Sequence, residues 1–573
     1  MKQQVLFFFF TLMLTGISVS AQTGGGRIAG VVIDNAGEEP LPGATIFIEE
    51  LKKGIVTDGH GEFLLSDVPA ATYTLTVRFI GYHTQTRKLT VGKERGKKII
   101  IRLKAEAKSL DEVVVMGKSE ARKLREQAMP ISVISMNQIQ GTVNNVQDIL
   151  AKTAGITVRA TGGTGSTSRI SVRGLEGKRI GLFIDGNPMN DNSDFIDIND
   201  IPVEMIDRIE IYKGVVPAKF GGSAVGGAVN IVTKEYPPKY LDVNYSYGSF
   251  NTHNASVVSK MNIAPKGIEF GLGGFYTYAD NDYKMKSPFQ EGLTITRDHD
   301  KFKKTVIGGS FKARKWWFDL VEFEPVFIHT YKDIQGIESN IRHAHSHSNA
   351  FIFANKMEKE NFLLDGLDLD WQLGYIYTDY HFADTASHRT HWDGTHYPAV
   401  SEFGGEIGKW ASLLTNEKHQ LQHKLNLNYL VNENHSVNFN SLLKYAHANP
   451  RDGMKDKVIG YRTDFPSNMF SWVAGLNYDY RTSNDKFLNS FNVKYYYYSM
   501  KTRMASVLVK TAEDIDTHKN DFGISNALRY RITPSLMAKA SFGYDVRLPS
   551  EEELLGDGYV IAPAGNLTPE RNI

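Results

Sequence analysis

The stretch that decides the fold is FGGSAVGGAVNIVTK, residues 220–234, in which two glycine pairs precede a β-rich run. Gly221, Gly226 and Gly227 allow positive φ and let the backbone approach a neighbouring wall closely. The stretch contains no GxxxxGK[ST] pattern and does not fit GxGxxG, which excludes a phosphate-binding loop. It predicts a glycine-rich segment that packs tightly against another part of the chain.

Three motifs upstream of this stretch belong to the same predicted α/β segment. They are ISVRG at 170–174, LFIDGNP at 182–188 and IDRIEIYKG at 206–214. Apolar runs at 131–134, 180–184 and 209–212 predict strands. With the glycine-rich stretch, the four motifs resemble, in order, those of the plug domain of TonB-dependent transporters.

The resemblance assigns the plug to residues 124–235 and implies roles for individual residues. The plug-motif residues are Gly174, Asp185, Gly186, Gly221, Gly226, Gly227 and Asn230. Arg173 and Arg208 match the family's arginines, which the resemblance implies pair with barrel carboxylates and lock the plug in the lumen. The alternative is that each is a solvated surface arginine. We favour the lock because a charge inside a plugged lumen is partly desolvated and needs a partner.

Residues 1–104 contain two predicted segments that precede the plug. Lys2, the apolar run 5–14 and the small residues 19–21 predict a secretory signal peptide over 1–21. A membrane anchor is the weaker interpretation because the apolar run is short for a spanning helix. Residues 26–104 alternate short β-rich runs with turns, which predicts a small β-sandwich. LPGA at 41–44 and IGY at 80–82 resemble the carboxypeptidase-regulatory-like domain, a module without catalytic residues.

Between these domains, residues 109–117 read SLDEVVVMG. Val113, Val114 and Val115 predict a short exposed strand that can pair with another chain's sheet edge. An ordinary closing strand of the sandwich is the alternative. The position matches that of the TonB box in transporters of this architecture, so the resemblance assigns TonB contact to Glu112, Val113, Val114 and Val115.

From residue 240 onward the pattern is that of an antiparallel transmembrane β-barrel. Leu241, Val243, Tyr245 and Tyr247 alternate with polar residues, as strands that face lipid on one side require. About thirteen strands are predicted up to Arg547, with short links on one side and long loops on the other. The predicted long loops span 279–301, 329–348, 383–418, 448–469 and 502–520. The short side is expected to be periplasmic.

The predicted fold class is therefore mainly β: a small sandwich, an α/β plug and an incomplete barrel over 240–573. A barrel of this family needs about 22 strands to enclose a plug, so about nine are expected beyond Ile573. The segment from Arg547 to Glu570 resembles a family motif in an extracellular loop, with the next strand still to come.

Composition excludes several functions. A net charge of +1 gives no field for nucleic acid, and the absence of cysteine excludes a disulfide scaffold and a thiolate metal site. HExxH and a complete GxSxG elbow are absent, so no enzyme is predicted. No cofactor is predicted either.

The resemblance implies active import of a scarce nutrient across the outer membrane, with the N-terminal domain in the periplasm. The implied partners are TonB with the inner-membrane proton-motive complex, outer-membrane lipid and a small extracellular ligand. A ferric siderophore or another metal chelate, such as haem, is the favoured ligand. The alternatives are glycan import with a surface lipoprotein and a non-transporting adhesin or surface-binding protein.

Histidines are concentrated in the predicted outer loops, where seven of the 17 lie in or beside two of them. Imidazole binds zinc, copper or haem iron. The candidate metal-contacting residues are His343, His345, His347, His388, His391 and His396. An extended strand over 343–347 points its three histidines to one side. The alternative is that loops are polar and histidine simply occurs in them; Trp392 and Tyr397 could equally stack on a sugar or a catecholate.

Overall fold

The computed structural model describes residues 26–35, 39–79, 82–92, 98–104, 120–136, 146–160, 162–166, 168–189, 198, 201–237, 239–263, 267–314, 316–399, 404–506, 510–556, 564 and 566–573. The predicted signal peptide and the predicted TonB-contact residues Glu112, Val113, Val114 and Val115 lie outside this range. The chain divides into two compact units, Met1–Lys118 and Ser119–Ile573. Among the described residues, no helix has both the length and the apolar character to cross a membrane.

The first unit is a two-sheet β-sandwich. Its strands are β1 Gly26–Asp34, β2 Thr45–Ile48, β3 Lys53–Val56, β4 Glu62–Val68, β5 Thr72–Arg78, β6 Gln85–Thr90 and β7 Ile99–Leu103. One sheet has the order β4-β1-β7 and the other β3-β2-β5-β6. Alternating apolar residues such as Ile46, Ile48 and Leu75 are fully buried between them. The predicted sandwich is confirmed in its architecture.

The second unit begins with the segment predicted to be the plug. It contains α1 Glu120–Arg125, β8 Ile131–Ser135, α2 Val146–Ala151, β9 Ile156–Ala160, β10 Ser168–Val172, β11 Leu175–Glu176, β12 Gly181–Ile184, β13 Asn187–Pro188, β14 Ile206–Tyr212 and β15 Ala228–Thr233. Short 3₁₀ turns cover Gly177–Arg179, Val203–Met205 and Ala218–Phe220. The central mixed sheet has the order β13-β12-β15-β14-β8. Its apolar side chains and those of α2 form one buried core.

The remainder of the chain is dominated by strands and two short helices. They are β16 Lys239–Gly248, β17 Thr252–Ile263, β18 Ile268–Ala279, β19 Tyr283–Lys286, β20 Thr294–Arg297, β21 Phe302–Ala313, β22 Leu320–Asp333, β23 His345–Lys359, β24 Leu367–Asp384, β25 His388–Thr390, β26 His396–Pro398, β27 Ser412–Asn432, β28 His435–Asp452, α3 Gly453–Ile459, β29 Ser467–Arg481, β30 Phe487–Ser506, β31 Thr511–Arg531, β32 Met537–Arg547, α4 Glu551–Leu555 and β33 Glu570–Asn572.

Fourteen of these strands form one antiparallel sheet, which we call the large sheet. They pair in chain order from β16 to β33, while β19 with β20 and β25 with β26 form separate hairpins within the loops. Thirteen strands end at or before Arg547, as predicted, and β33 begins to pair with β32 after the following loop. The outward face carries exposed apolar residues such as Leu241, Phe353 and Leu421. This is the composition expected of a lipid-facing surface.

Four of the predicted long loops are shorter in the structure. The segment 502–520, predicted as a long loop, continues the ladder of β30 and β31 as far as the pair Ser506 and Thr511. Three other predicted loops, at 329–348, 383–418 and 448–469, are shorter than expected because their flanking strands extend further. Backbone pairing needs no apolar side chains, so a strand continues where the alternating pattern has ended.

Candidate functional site

A buried polar network joins the plug motifs. Glu210 is 3% exposed and accepts hydrogen bonds from Arg208 Nε at 2.9 Å, Tyr212 Oη at 2.9 Å and Asn230 Nδ2 at 3.0 Å. Asn230 Oδ1 in turn accepts from the backbone N–H of Gly186 at 2.9 Å. Burial, followed by the charge of Glu210, raises the pKa of Tyr212 well above its usual value. The network ties β12, β14 and β15 together.

The predicted partners of the two plug arginines are wrong in this structure. Arg208 pairs with two carboxylates of the plug itself. Glu210, at 2.9 Å, is two positions along β14 and shares its face, and Asp207, at 3.0 Å, is the adjacent residue. Arg173 is exposed at a positive φ of 52° in the turn between β10 and β11, and no ion pair to it is present among the described residues. Among the described residues, neither arginine pairs with a carboxylate of the large sheet.

The predicted glycines lie at tight points of the plug. Gly227 has φ of 111°, and an added Cβ would come within 2.2 Å of the Tyr212 carbonyl oxygen. Gly221 has φ of 73°, and its added Cβ would lie 3.2 Å from Leu442 Cβ on β28 of the large sheet. Gly226 is crowded by Ile180 and Leu175, whereas Gly174 has open space around it. The predicted close approach of glycine backbone to the strand wall is thus seen at Gly221.

The outer strands hold the plug mainly through its backbone carbonyl oxygens. Lys424 Nζ donates to the Gly186 carbonyl at 2.6 Å, and Asn426 Nδ2 donates to the Lys219 carbonyl at 3.1 Å. Further contacts of this kind run from Lys332 to Gly165 at 2.9 Å, from Asn281 to Thr164 at 2.9 Å and from Asn572 to Val225 at 3.2 Å. In these contacts the donors are cations and amides of the large sheet and its loops, whereas the prediction placed the cations on the plug.

An ionic cluster around Glu126, which directly follows α1, attaches the start of the plug to the large sheet. We call it the Glu126 cluster. Arg531 Nη2 contacts Glu126 Oε2 at 2.8 Å and Asp485 Oδ2 at 3.0 Å. Arg529, the largest fully buried side chain, donates to the Glu126 carbonyl at 2.9 Å and pairs with Asp485 at 2.7 Å.

Lys539 completes this attachment by donating to the carbonyls of Arg125 at 2.7 Å and Met129 at 3.0 Å. Partial burial would raise the pKa of Asp485, but hydrogen bonding and charge from Arg529, with further arginines, hold it below its usual value. Glu126 follows the predicted TonB box, which ends at Gly117, by nine positions.

At the opposite end of the large sheet, the loop after β32 contacts the plug. Lys178 Nζ donates to Ser550 Oγ at 2.8 Å and pairs with Glu552, while Arg179 pairs with Glu570. Ser550 and Glu553 form a capping box that begins α4. The segment that resembles an extracellular family motif therefore rests on residues 178–179 of the plug.

The loops at this end surround a cavity of about 600 Å³. His343 comes from the loop before β23, and His388 and His396 come from the loop after β24. The sequence alone does not show that these two loops meet. Its lining includes Asp298, Arg342, His343, His388, Trp392 and His396. The rings of His388 and His396 lie 4.2 Å apart in an edge-to-face arrangement. A volume of this size suits a small molecule.

A buried carboxylate relay fixes one wall of the cavity. Asp384 is fully buried and accepts from the N–H groups of Glu406 at 2.7 Å and Ile407 at 2.9 Å. Glu406, 3% exposed, accepts from the N–H groups of Arg342 at 3.1 Å and His343 at 2.8 Å. His343 Nδ1 lies 3.4 Å from Glu406 Oε1. The longest loop thus positions the histidine of its neighbour.

The extended strand over 343–347 that would point His343, His345 and His347 to one side is not formed in full. β23 begins only at His345, and His343 lies in a bend before it. His347 stacks on His381 at 4.4 Å on the outward face of the strands, and His345 stacks on Tyr331. His391 is exposed and stacks on Tyr397 at 4.0 Å. In the described part of the chain, no group of three or more His, Asp or Glu side chains is arranged to hold a metal ion.

Several residues that make these contacts were not identified from the sequence. They are Glu126, Arg529, Arg531, Glu406 and the lysines of the large sheet, Lys332, Lys424 and Lys539. The Arg529-x-Arg531 spacing was an available signal, since residues i and i+2 share one face of a strand. The others carried no local signal, because their partners are more than sixty residues away along the chain.

Comparison with known proteins gives two matching domain families. A CarboxypepD_reg-like domain matches residues 28–115, and a TonB-dependent Receptor Plug Domain matches residues 123–228. Among curated relatives, TonB-dependent receptor P39 of Formosa agariphila is 28% identical over 249 residues, covering 42% of this chain and 23% of its own length. The vitamin B12 transporter BtuB of Vibrio vulnificus is 25% identical over 265 residues, covering 45% and 43% respectively.

The fold is also similar to a solved structure of this kind. The Serratia marcescens hemophore receptor HasR, in complex with its hemophore HasA and heme, matches with a TM-score of 0.55 and 16% identity, over 78% of this chain and 68% of that one. The chain spans less than half the length of the curated relatives it matches. The prediction of a non-enzymatic protein agrees with their names.

Proposed function

We propose that this chain is a member of the TonB-dependent receptor family and that it serves in TonB-driven import of a metal chelate across the outer membrane. The observation that supports this most directly is the Glu126 cluster. It fastens the plug to the large sheet at the point where the chain leaves the predicted TonB box. A pull on that box would act on this attachment before it reached the rest of the plug.

The ligand enters, in this proposal, at the cavity of His343, His388 and His396. The three imidazoles and Arg342 offer donors to an anionic ligand, and Trp392 offers a face for stacking. An imidazole pair can also ligate a metal whose other ligands arrive with it, so a chelate fits where a bare ion lacks three protein ligands. BtuB is named for vitamin B12, and HasR was solved with heme.

The coupling step depends on strand pairing by Glu112–Val115, which lie outside the described residues. Val114→Pro removes a backbone donor and fixes φ, so it should abolish binding of the purified TonB C-terminal domain. Val114→Ala keeps the donor and serves as the matched control. Isothermal titration measures both, and undiminished TonB binding by the proline variant would remove the box from this segment.

The ligand site is tested with haemin and with a ferric tris-catecholate as probes. Replacing His343, His388 and His396 together by Gln keeps polarity and should weaken binding of the preferred probe roughly tenfold or more. His391→Gln, outside the cavity lining, should leave binding unchanged. Equal affinity in the triple variant and the parent would contradict the site. Binding of an oligosaccharide but of neither chelate would favour glycan import.

A further inference from the structure

Several histidines lie on the face of the large sheet that points away from the plug, and we call five of them the imidazole band. They are His329 on β22, His347 on β23, His381 on β24, His419 on β27 and His447 on β28. The face follows from register. Leu442 lies against Gly221 of the plug, and His447 is five positions further along β28, so it points the other way.

Cross-strand pairing places the other four on the same outward face. Directly opposed residues of antiparallel strands share a face, and His447 opposes His419. His419 opposes Tyr377, which opposes Phe351, four positions from His347. His347 opposes His381. His329 opposes Asn349, two positions from His347.

The band lies on the long-loop side of an exposed apolar row of the sheet. Phe353, Tyr375, Leu421 and Tyr445 oppose one another in a row across four strands, and each is at least 37% exposed. Measured toward the long-loop end, His419 and His447 lie two positions beyond this row, and His347 and His381 lie six beyond it. In a membrane-spanning sheet, polar side chains just beyond the apolar belt lie at the level of the lipid headgroups.

Neighbouring polar groups orient three of the rings. His329 Nδ1 lies 2.9 Å from Asn349 Oδ1, and His447 Nδ1 lies 2.9 Å from Asn468 Oδ1, so each Nδ1 donates its proton to an amide oxygen. His419 Nδ1 lies 2.7 Å from Tyr375 Oη. In these three rings, Nε2 has no hydrogen bond among the described residues. It is therefore available to a group outside the protein.

The charges around the band are few. Asp379 contacts His381 Nε2 at 2.9 Å, and Glu417 opposes Asp379 on β27. Lys303 opposes Tyr331, beside His347, and adds a cation. The band is not a metal site, because no three-ligand group exists in the described part of the chain.

We propose that the imidazole band binds the phosphate groups of lipid headgroups in the outer leaflet. Imidazole N–H groups donate to phosphate oxygens, and protonation strengthens these bonds by adding charge. Continuity with the apolar row supports this partner, since lipid chains on the row bring their headgroups to the band. The inference rests on the outer-membrane placement in the proposed function but not on TonB or on the imported ligand.

The test uses the full chain in phosphatidylcholine nanodiscs that contain lipid A, either bisphosphorylated or dephosphorylated. Native mass spectrometry after release into detergent measures the lipid A that stays bound. Replacing all five band histidines by Gln should lower retention of bisphosphorylated lipid A roughly tenfold, and added salt should weaken retention by the parent. Retention of the dephosphorylated form should be low for both.

Two further variants make the test decisive. Arg at the same five positions should restore retention, which shows that the donors rather than the ring shapes matter. His435→Gln, on the opposite end of the strands, should retain lipid A as the parent does. Unchanged retention in the Gln variant, or an equal loss with His435→Gln, overturns the band. Failure of the parent chain to insert into plain phosphatidylcholine discs overturns the membrane placement and the band together.

Discussion

Glu210 is the residue on which the plug motifs converge. A buried carboxylate is tolerated only when its oxygens are hydrogen-bonded, and three donors from β14 and β15 meet it. This explains why IEIY and the asparagine of GGAVN occur in one segment. These motif residues therefore stabilise the plug from within.

Replacing Glu210 by Gln should destabilise the plug by about 3 kcal/mol, because Arg208 and Tyr212 lose a charged acceptor in a buried place. The readout is the urea concentration at which residues 120–235 become open to protease. Asp207→Asn is the control, since Asp207 is 44% exposed and its pairing should contribute little. A Gln variant as resistant as the parent would show that the network is dispensable.

Individual residues also show which contacts could be predicted from the sequence and which could not. The motifs predicted the strands and glycines of the plug, because local spacing carries that information. They misassigned Arg208, since its partner is decided by which carboxylate stands nearest on a strand face. They did not find Glu406, whose role depends on a turn held by Asp384 at the end of β24.

At the scale of elements, α1 is fastened to the turn between β29 and β30 and to strands β31 and β32 by the Glu126 cluster. Glu126→Gln should release α1 and raise the rate of tryptic cleavage after Lys123 and Arg125 roughly tenfold or more. Arg122→Gln removes a partner of Glu126 that is 61% exposed, and it should change the rate little. Equal cleavage in the Glu126 variant and the parent would assign the attachment to backbone contacts alone.

The same cluster should respond to acid. A carboxylate whose pKa is lowered in the folded state stabilises it above the ordinary carboxylate range, and that stabilisation is lost as pH falls through the folded pKa. Asp485 is such a group. Protease access to α1 should thus be constant from neutral pH down to about 5 and rise below about 4. Asp485→Asn should loosen α1 already at neutral pH and show a smaller acid step.

Element boundaries were predictable only inside the apolar belt. Alternation located thirteen strands correctly, yet the strands run on into the loops, as β30 and β31 show. Above the belt both faces meet water, so side-chain hydrophobicity no longer reports which backbone is paired. The predicted loop at 329–348 is too long for this reason, because His345 and His347 lie on β23.

At the scale of the whole molecule, the two ends of the large sheet differ in loop length and in what they hold. One end carries the Glu126 cluster and short turns, and the other carries the histidine cavity and α4. We expect the first to face the periplasm. The chain has no cysteine, so a single introduced thiol reports its own position without background.

Thr395→Cys should therefore react with an impermeant maleimide on intact cells, and Asn434→Cys should react only after the outer membrane is opened. Thr395 is exposed and Asn434 is half-buried in its turn, so labelling of Asn434→Cys after the membrane is opened is the control for burial. Labelling of Asn434→Cys on intact cells would reverse the orientation.

The hydrogen bonds from the large sheet to backbone carbonyls of the plug affect which sequence changes the plug can tolerate. Gly186, Lys219, Gly165 and Val225 contribute backbone atoms to these contacts, which every amino acid possesses. Substitution there leaves the acceptor in place wherever the backbone conformation is tolerated. The plug surface can therefore drift in sequence, or be exchanged for that of a relative, while Lys424, Asn426 and Lys332 continue to hold it.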